Sequence, residues 1–507
     1  MTPENLQQYI SYVIQDSLKV ACLTSREILT SVAELRWADV ESPESIEKRV
    51  LTMIHELQLE KCADSRFGDD LVKGLSGGEK KRVCIGAKLL IDSPILLLDE
   101  PTSGLDSNTS FIIIKLLREY ARKHNKIILT TIHQPSSNIF DLFDKLIILN
   151  HGRIIYQGLG SLEVCKYFES KGFPLKIHQN PADSVMRVLE ELNRRSDQKF
   201  FFNNEYDKDR DMEIKDEINN YILQTHEEKN DNILRNIDIY SSFITALKVH
   251  FRDYSKTVAR NPQTIRIKVT NFLLFAFMCG SIFWKLPNTL EGNRGKLGFI
   301  LFFTLSNITQ QLLTIIMVFP LERKILIEDY KSNLYGVVPY GLARQCIDTP
   351  INLLIVIVYC SILYFVVGMK ETPVNFFIFI GIYISFAFNV ISIGILFACF
   401  IESIPLGFLI LSFAAYYLLI FSGVVLNAAN IPVWLAWLKY LNPVFYGIQS
   451  VMINEFEGRN FEGGINFYEL IRENLDIWHC MVYLIVSGLI LRSMALVGLH
   501  LVVNKKI

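Results

Sequence analysis

The chain has 507 residues, of which 50% are hydrophobic and 12% aromatic, with a mean hydropathy of +0.27 and a formal net charge of -1. It is too apolar for an ordinary soluble enzyme, long enough for more than one domain, and lacks the basic excess that marks a nucleic-acid partner. Charge is segregated, with Lys, Asp and Glu crowding the first half and long uncharged runs filling the second, so part of the chain is read as membrane-embedded. Nine cysteines stand singly, with no C-x-x-C pair and no histidine cluster, which excludes a zinc-finger or disulfide-framework reading.

The N-terminus, MTPENLQQYISYV, has no basic region before an apolar core. No signal peptide is expected, and the first half is expected to stay in the cytosol. Residues 1–190 read as alternating strand and helix. Tyr9 to Val13 predicts a short strand leading into Gln15-Asp16, and Leu23-Thr24-Ser25-Arg26-Glu27 carries a helix-start pattern, a hydroxyl cap with Glu behind it.

The stretch Leu75 to Asp106 holds most of the chemistry. Ser76, Gly77 and Gly78 open a helix-patterned run from Glu79 to Asp92, and a helix start leaves unpaired N–H groups and the positive dipole end facing outward as an anion site. Pro94 breaks the run. Ile95 to Leu98 then reads as a buried strand delivering Asp99 and Glu100 to a sheet edge, where Asp99 suits Mg²⁺ and Glu100 suits polarising an attacking water.

Lys126 to Ile132 predicts another strand, ending at His133-Gln134-Pro135. Lys145 to Leu149 and Arg153 to Gln157 flank Asn150-His151-Gly152 and predict a hairpin. From Val188 to Ser242 charges crowd together with weak apolar periodicity, which reads as a solvated linker. Beyond it, segments near 269–286, 297–319, 349–368, 374–400, 404–427 and 480–503 are each long enough to cross a bilayer. Basic residues (Arg260, Arg266, Lys268; Arg323, Lys324, Lys331, Arg344; Lys505-Lys506) fall on one side of these six spans, so both termini are expected on the cytosolic face. The stretch 428–477 opens with Trp434, Trp437 and Tyr440 and reads as an outer loop with an interfacial or re-entrant element. Arg492 lies inside the last span and needs a partner, for which Glu402 and the polar cluster near Glu322 are the candidates.

LSGGE followed by LLLDEPTSGLD resembles the signature motif, Walker B and D-loop of an ATP-binding cassette ATPase, and HQPSS resembles the switch-histidine form typical of subfamily G. A cassette ahead of six spans, with PLERKILIEDYKSNLYG after the second and FSGVVLN in the fifth, resembles the White-type subfamily G half-transporters over nearly the whole chain. The resemblance implies an incomplete α/β P-loop-type cassette (1–187), a charged linker (188–243) and an all-α six-helix membrane domain (244–507). It implies ATP-driven export of a lipophilic substrate by a homodimer or heterodimer in the plasma membrane or an intracellular vesicle, with ATP and Mg²⁺ as cofactors. It places Ser76, Gly77, Gly78 and Glu79 at the γ-phosphate, Asp99 and Gln15 on Mg²⁺, Glu100 as general base, Gln15 and His133 in switching, and Asp106 in cross-dimer contact. Glu322, Arg323 and Asp329 would couple the halves. Phe302, Phe303, Ser306, Asn307, Tyr416 and Leu419 match the family's central cavity, although plain helix packing explains them equally well.

Three departures qualify the resemblance. No G-x-x-x-x-G-K-[ST] occurs, and the nearest string, Gly292 to Lys296, has the wrong spacing and follows no strand. The intact remainder of the motif set leads to the expectation that a P-loop is encoded upstream of Met1; the alternative is a non-catalytic subunit that lends only its signature face to a complete partner. The family's bulky plug after FSG is here the smaller Val424-Val425, and the family's outer-loop cysteines are missing.

Overall fold

The computed structural model describes residues 9–15, 19–69, 72–160, 162–173, 180–195, 241–401, 403–423, 432–458 and 475–505. They form two compact units that divide between Ser241 and Ser242.

In the first unit, β1 (Ile10–Val13), β2 (Ile95–Leu98) and β3 (Ile127–Thr130) make a parallel sheet in that order, with Val13, Leu98 and Thr130 in one row and Tyr12, Leu97 and Leu129 in the next. Side chains alternate across a sheet, so one register has two faces. Val13, Leu96 and Leu98 are buried, while Tyr12, Ile127 and Leu129 on the other face are exposed. α3 (Gly77–Leu89) packs on β1, and α1 (Ser25–Trp37) packs in turn on α3 and on α2 (Pro43–Glu56). The expected helix start is there: Thr24 accepts from the Glu27 N–H while the Glu27 carboxylate accepts from the Thr24 N–H, a reciprocal cap that satisfies two orphan donors. Trp37 Nε1 donates to Leu90 O at 2.9 Å and lies under the Arg49 guanidinium, tying α1 to the end of α3. After α4 (Ser107–His124), the predicted hairpin forms as β4 (Lys145–Asn150) and β5 (Arg153–Leu159), turning through His151 and Gly152, both at positive φ. It carries a small core of its own with α5 (Leu162–Ser170) and α6 (Pro181–Arg195), built on Tyr156, Phe168, Val185 and Leu189.

The second unit is all helix. It begins with the amphipathic α7 (Phe243–Arg260) and continues through α8 (Pro262–Ile282), α9 (Leu290–Lys331), α10 (Val337–Val367), α11 (Pro373–Phe400), α12 (Ile404–Ile420), α13 (Pro443–Phe456) and α14 (Ile477–Lys505). Five of these, α8 to α11 and α14, are long and apolar enough to cross a membrane. The fifth expected span falls short: α12 has 17 residues, roughly 25 Å at the helical rise against a hydrocarbon core of about 30 Å. It stops just before Gly423 at φ +82, and Val424 and Val425 lie outside the described residues. At 42 residues, or roughly 63 Å, α9 outruns the bilayer, so its charged end from Glu322 to Lys331 lies beyond the apolar core.

Within the stretch expected to hold an interfacial or re-entrant element lies α13. All 14 of its residues are buried, including Gln449, Ser450, Asn454 and Glu455. Buried polar groups in an apolar setting must be paired, and the pairing is explicit. Lys296 and Glu455, both fully buried, meet at 3.1 Å; Lys296 also donates to Asn288, and the second Glu455 oxygen accepts the Lys370 N–H at 2.9 Å. Asn375 and Asn454 exchange side-chain and backbone hydrogen bonds beside them. The pair is absent from the sequence reading because its members are 159 residues apart.

Candidate functional site

The carboxyl ends of β1, β2 and the segment after β3 converge as parallel-sheet logic requires. Asp99 and Glu100 follow β2, Gln15 follows β1, and Thr131 to His133 follow β3. The Gln15 amide donates to Glu100 Oε2 at 2.8 Å and to Ser103 Oγ at 3.3 Å, and Lys81 Nζ donates to the Gln15 carbonyl. Asp99 is held from two sides, with Tyr12 Oη donating to one carboxylate oxygen at 3.2 Å and Thr131 Oγ1 to the other at 2.8 Å. Burial, and then the neighbouring carboxylate, raise the Tyr12 phenol above its ordinary value, which keeps it a donor. Glu100 sits at φ +43, a left-handed conformation that costs a non-glycine residue about 1–2 kcal/mol. Its N–H is satisfied by Thr131 Oγ1 at 2.9 Å. His133 is exposed, two residues after Thr131.

Ser76 and Asp106 lie apart from that cluster, each capping a helix. The Ser76 hydroxyl accepts the Glu79 N–H at 3.4 Å, and the Glu79 carboxylate accepts from the Ser76 N–H at 2.8 Å and hydroxyl at 2.7 Å. Those bonds, the Ser76 backbone N–H first, hold the Glu79 carboxyl below its usual range. Asp106 caps α4 through Thr109 N–H at 3.0 Å and is likewise lowered by its Thr109 hydrogen bonds. The two glycines differ in role. Gly77 is exposed, whereas Gly78 is buried against α4, where a Cβ would come within 2.3 Å of the Thr109 methyl. The second glycine is therefore demanded by helix packing as much as by any approach of phosphate.

In the helical unit the proposed path residues separate. Phe303 is fully buried, stacked at 4.8 Å on Tyr359 and edge-on at 4.6 Å to Tyr383, and Ser306 turns its hydroxyl back to the Phe303 carbonyl at 2.7 Å. These two belong to the packed interior. Phe302 and Tyr416 are exposed and Leu419 is half-buried. Asn307 is 1% exposed, and neither polar atom of its amide has a partner among the described residues.

At the charged end of α9, Glu322 meets Arg344 at 2.8 Å, and Arg344 also reaches Asp348 at 3.3 Å while its guanidinium covers Phe319. Tyr254 of α7 donates to Asp348 at 2.8 Å. Arg323 is buried and donates to Ile401 O, and Asp329 accepts from Tyr335 at 3.2 Å. Since Glu322 is committed to Arg344, Arg492 does not use it; the Arg492 Nε donates to Ser392 Oγ at 3.0 Å and its guanidinium stacks on Phe388 at 4.1 Å. The other candidate, Glu402, lies outside the described residues. His250 of α7 packs between Tyr335 and Tyr340, and burial pushes its pKa down to about 4. A histidine held neutral this way adds stability that is full above the unfolded value near 6.5 and lost as pH falls toward about 4. Thermal denaturation in detergent is expected to lose up to about 3 kcal/mol over that window, and His250→Phe is expected to flatten the profile.

Comparison with known proteins decides what this assembly is. A family model described as "ABC-2 type transporter" matches residues 245–456, one described as "ABC transporter" matches 2–103, and a further "ABC-2 type transporter" model matches 133–205. The broad substrate specificity ATP-binding cassette transporter ABCG2 of Sus scrofa is 30% identical over 492 residues, covering 92% of this chain and 74% of that protein. The chain belongs to the ATP-binding cassette transporters of subfamily G. Protein white of Drosophila melanogaster is 29% identical over 472 residues (89% of this chain, 66% of that one), and ABC transporter G family member 18 of Arabidopsis thaliana 27% over 488 (90% and 67%). The transporter is thus an ATP-hydrolysing, multi-pass membrane protein whose cassette precedes its helical domain. Tyr12, Ser103 and Thr131 escaped the sequence reading; the only signal was that Tyr12 and Thr131 stand near the ends of two predicted strands.

Proposed function

We propose that the chain exports a lipophilic small molecule as one half of a homodimer or heterodimer, with ATP bound between the two cassettes against Ser76 to Gly78. The observation that carries this reading is the division of the cassette's polar groups. Gln15, Asp99 and Glu100 converge within hydrogen-bond reach on one strand-end cluster, while Ser76, Gly77 and Asp106 stand exposed at two helix starts, where a second subunit could meet them. The donors at the cluster are carboxylate, amide and hydroxyl oxygens, the set a hard cation takes, so Asp99 and Gln15 would hold Mg²⁺. When bound, that ion would neutralise charge building on the transferred phosphoryl group. Glu100, oriented by Gln15, would take the proton of the attacking water, and His133 would read the γ-phosphate.

The membrane path is assigned to Phe302, Asn307, Tyr416 and Leu419, and the coupling to Glu322, Arg323 and Asp329. Inside-out vesicles should accumulate a labelled lipophilic substrate with ATP, with or without a second half-transporter according to whether the dimer is homo or hetero. Uptake only with a complete partner, unaffected by Glu100→Gln in this chain, would favour a non-catalytic subunit. In the same vesicles Asn307→Ala is expected to change relative uptake of substrates severalfold at unchanged protein level; loss of protein instead would return Asn307 to helix packing.

A further inference from the structure

We propose that Thr131 is a positioning residue of the ATPase site, setting the orientation of both the Asp99 carboxylate and the Glu100 backbone through one hydroxyl. This rests on the reading of Asp99 and Glu100 given above and deepens it. A threonine hydroxyl has one proton to donate and lone pairs to accept. Thr131 spends the proton on Asp99 Oδ1 at 2.8 Å and accepts the Glu100 N–H at 2.9 Å, while its own N–H is fixed to Leu98 O at 3.0 Å. The side chain is therefore anchored by its backbone to the end of β2 and bridges two consecutive residues of that strand's exit.

Glu100 is the residue with the unusual backbone, at φ +43, and its carboxylate is in turn held by Gln15 at 2.8 Å. Removing the Thr131 oxygen leaves the Glu100 N–H without its acceptor and frees Asp99 to rotate about its Tyr12 contact at 3.2 Å. The segment after β3 that carries His133 thus also carries, two residues earlier, the hydroxyl that orients the carboxylates. Thr131 is exposed, and a valine in its place removes two hydrogen bonds with almost no change of shape.

The test uses the assembled transporter in lipid nanodiscs, comparing Thr131→Val, Thr131→Ser and Glu100→Gln. Thr131→Val is expected to keep the KM for ATP within about 2-fold, cut kcat about 10-fold or more, and weaken Mn²⁺ binding in the presence of a non-hydrolysable ATP analogue, read by electron paramagnetic resonance, by a similar factor. Thr131→Ser, which keeps the oxygen, is expected to restore both. Wild-type kcat and Mn²⁺ affinity in Thr131→Val, in a preparation where Glu100→Gln has lost hydrolysis, would overturn the role of Thr131 alone. A fall of melting temperature with kcat and KM, unrescued by serine, would also overturn it, in favour of simple structural support. Full hydrolysis in Glu100→Gln would bring down the site reading beneath it, and this inference with it.

Discussion

Replacing Glu100 with glutamine in the assembled dimer is expected to leave nucleotide binding intact and to cut ATP turnover by roughly 10²-fold or more, the scale of losing a general base or its electrostatic equivalent. The side chain keeps its size and retains an oxygen able to accept the Gln15 amide hydrogen bond, so the geometry around Asp99, Tyr12 and Thr131 has no reason to relax. What is lost is the ability to take a proton. Filter binding of radiolabelled ATP beside phosphate release would separate the two effects, and turnover at the wild-type rate would remove Glu100 from the chemistry.

The second large effect is expected far from ATP. Lys296→Met removes the cation that meets the fully buried Glu455 carboxylate at 3.1 Å, and breaking one partner of a buried pair typically costs about 3–5 kcal/mol. That is a large share of a domain's whole stability. Membrane yield and melting temperature should both collapse. The double variant Lys296→Met with Glu455→Gln removes both charges while glutamine can still accept the Lys370 N–H, so most of the loss should return. A single variant as stable as wild type would show that the pair contributes little to holding α13 against α9 and the turn before α11.

Much of this architecture was written in local patterns. Thr24 with Glu27 and Ser76 with Glu79 announce helix starts because a cap is a matter of four consecutive residues. The three strands and the hairpin follow from short apolar runs bounded by breakers, and the spans from length and apolarity. The carboxylates of Asp99 and Glu100 stood out because a buried strand has few other reasons to end in two charges.

Tertiary structure alone decided the pairings. Thr131 reaches Asp99 across 32 residues, Tyr12 across 87, and Lys296 reaches Glu455 across 159, separations at which no periodicity carries information. It also divided residues that look alike in sequence. Phe302 and Phe303 are neighbours on α9, yet one is exposed and the other is locked among Tyr359 and Tyr383, because adjacent helical positions point about 100° apart and only packing says which direction is interior. Gly77 and Gly78 divide the same way, one exposed and one pressed on Thr109. Composition and local order determine which elements form and where they can sit; which side chains then meet is settled by how those elements pack.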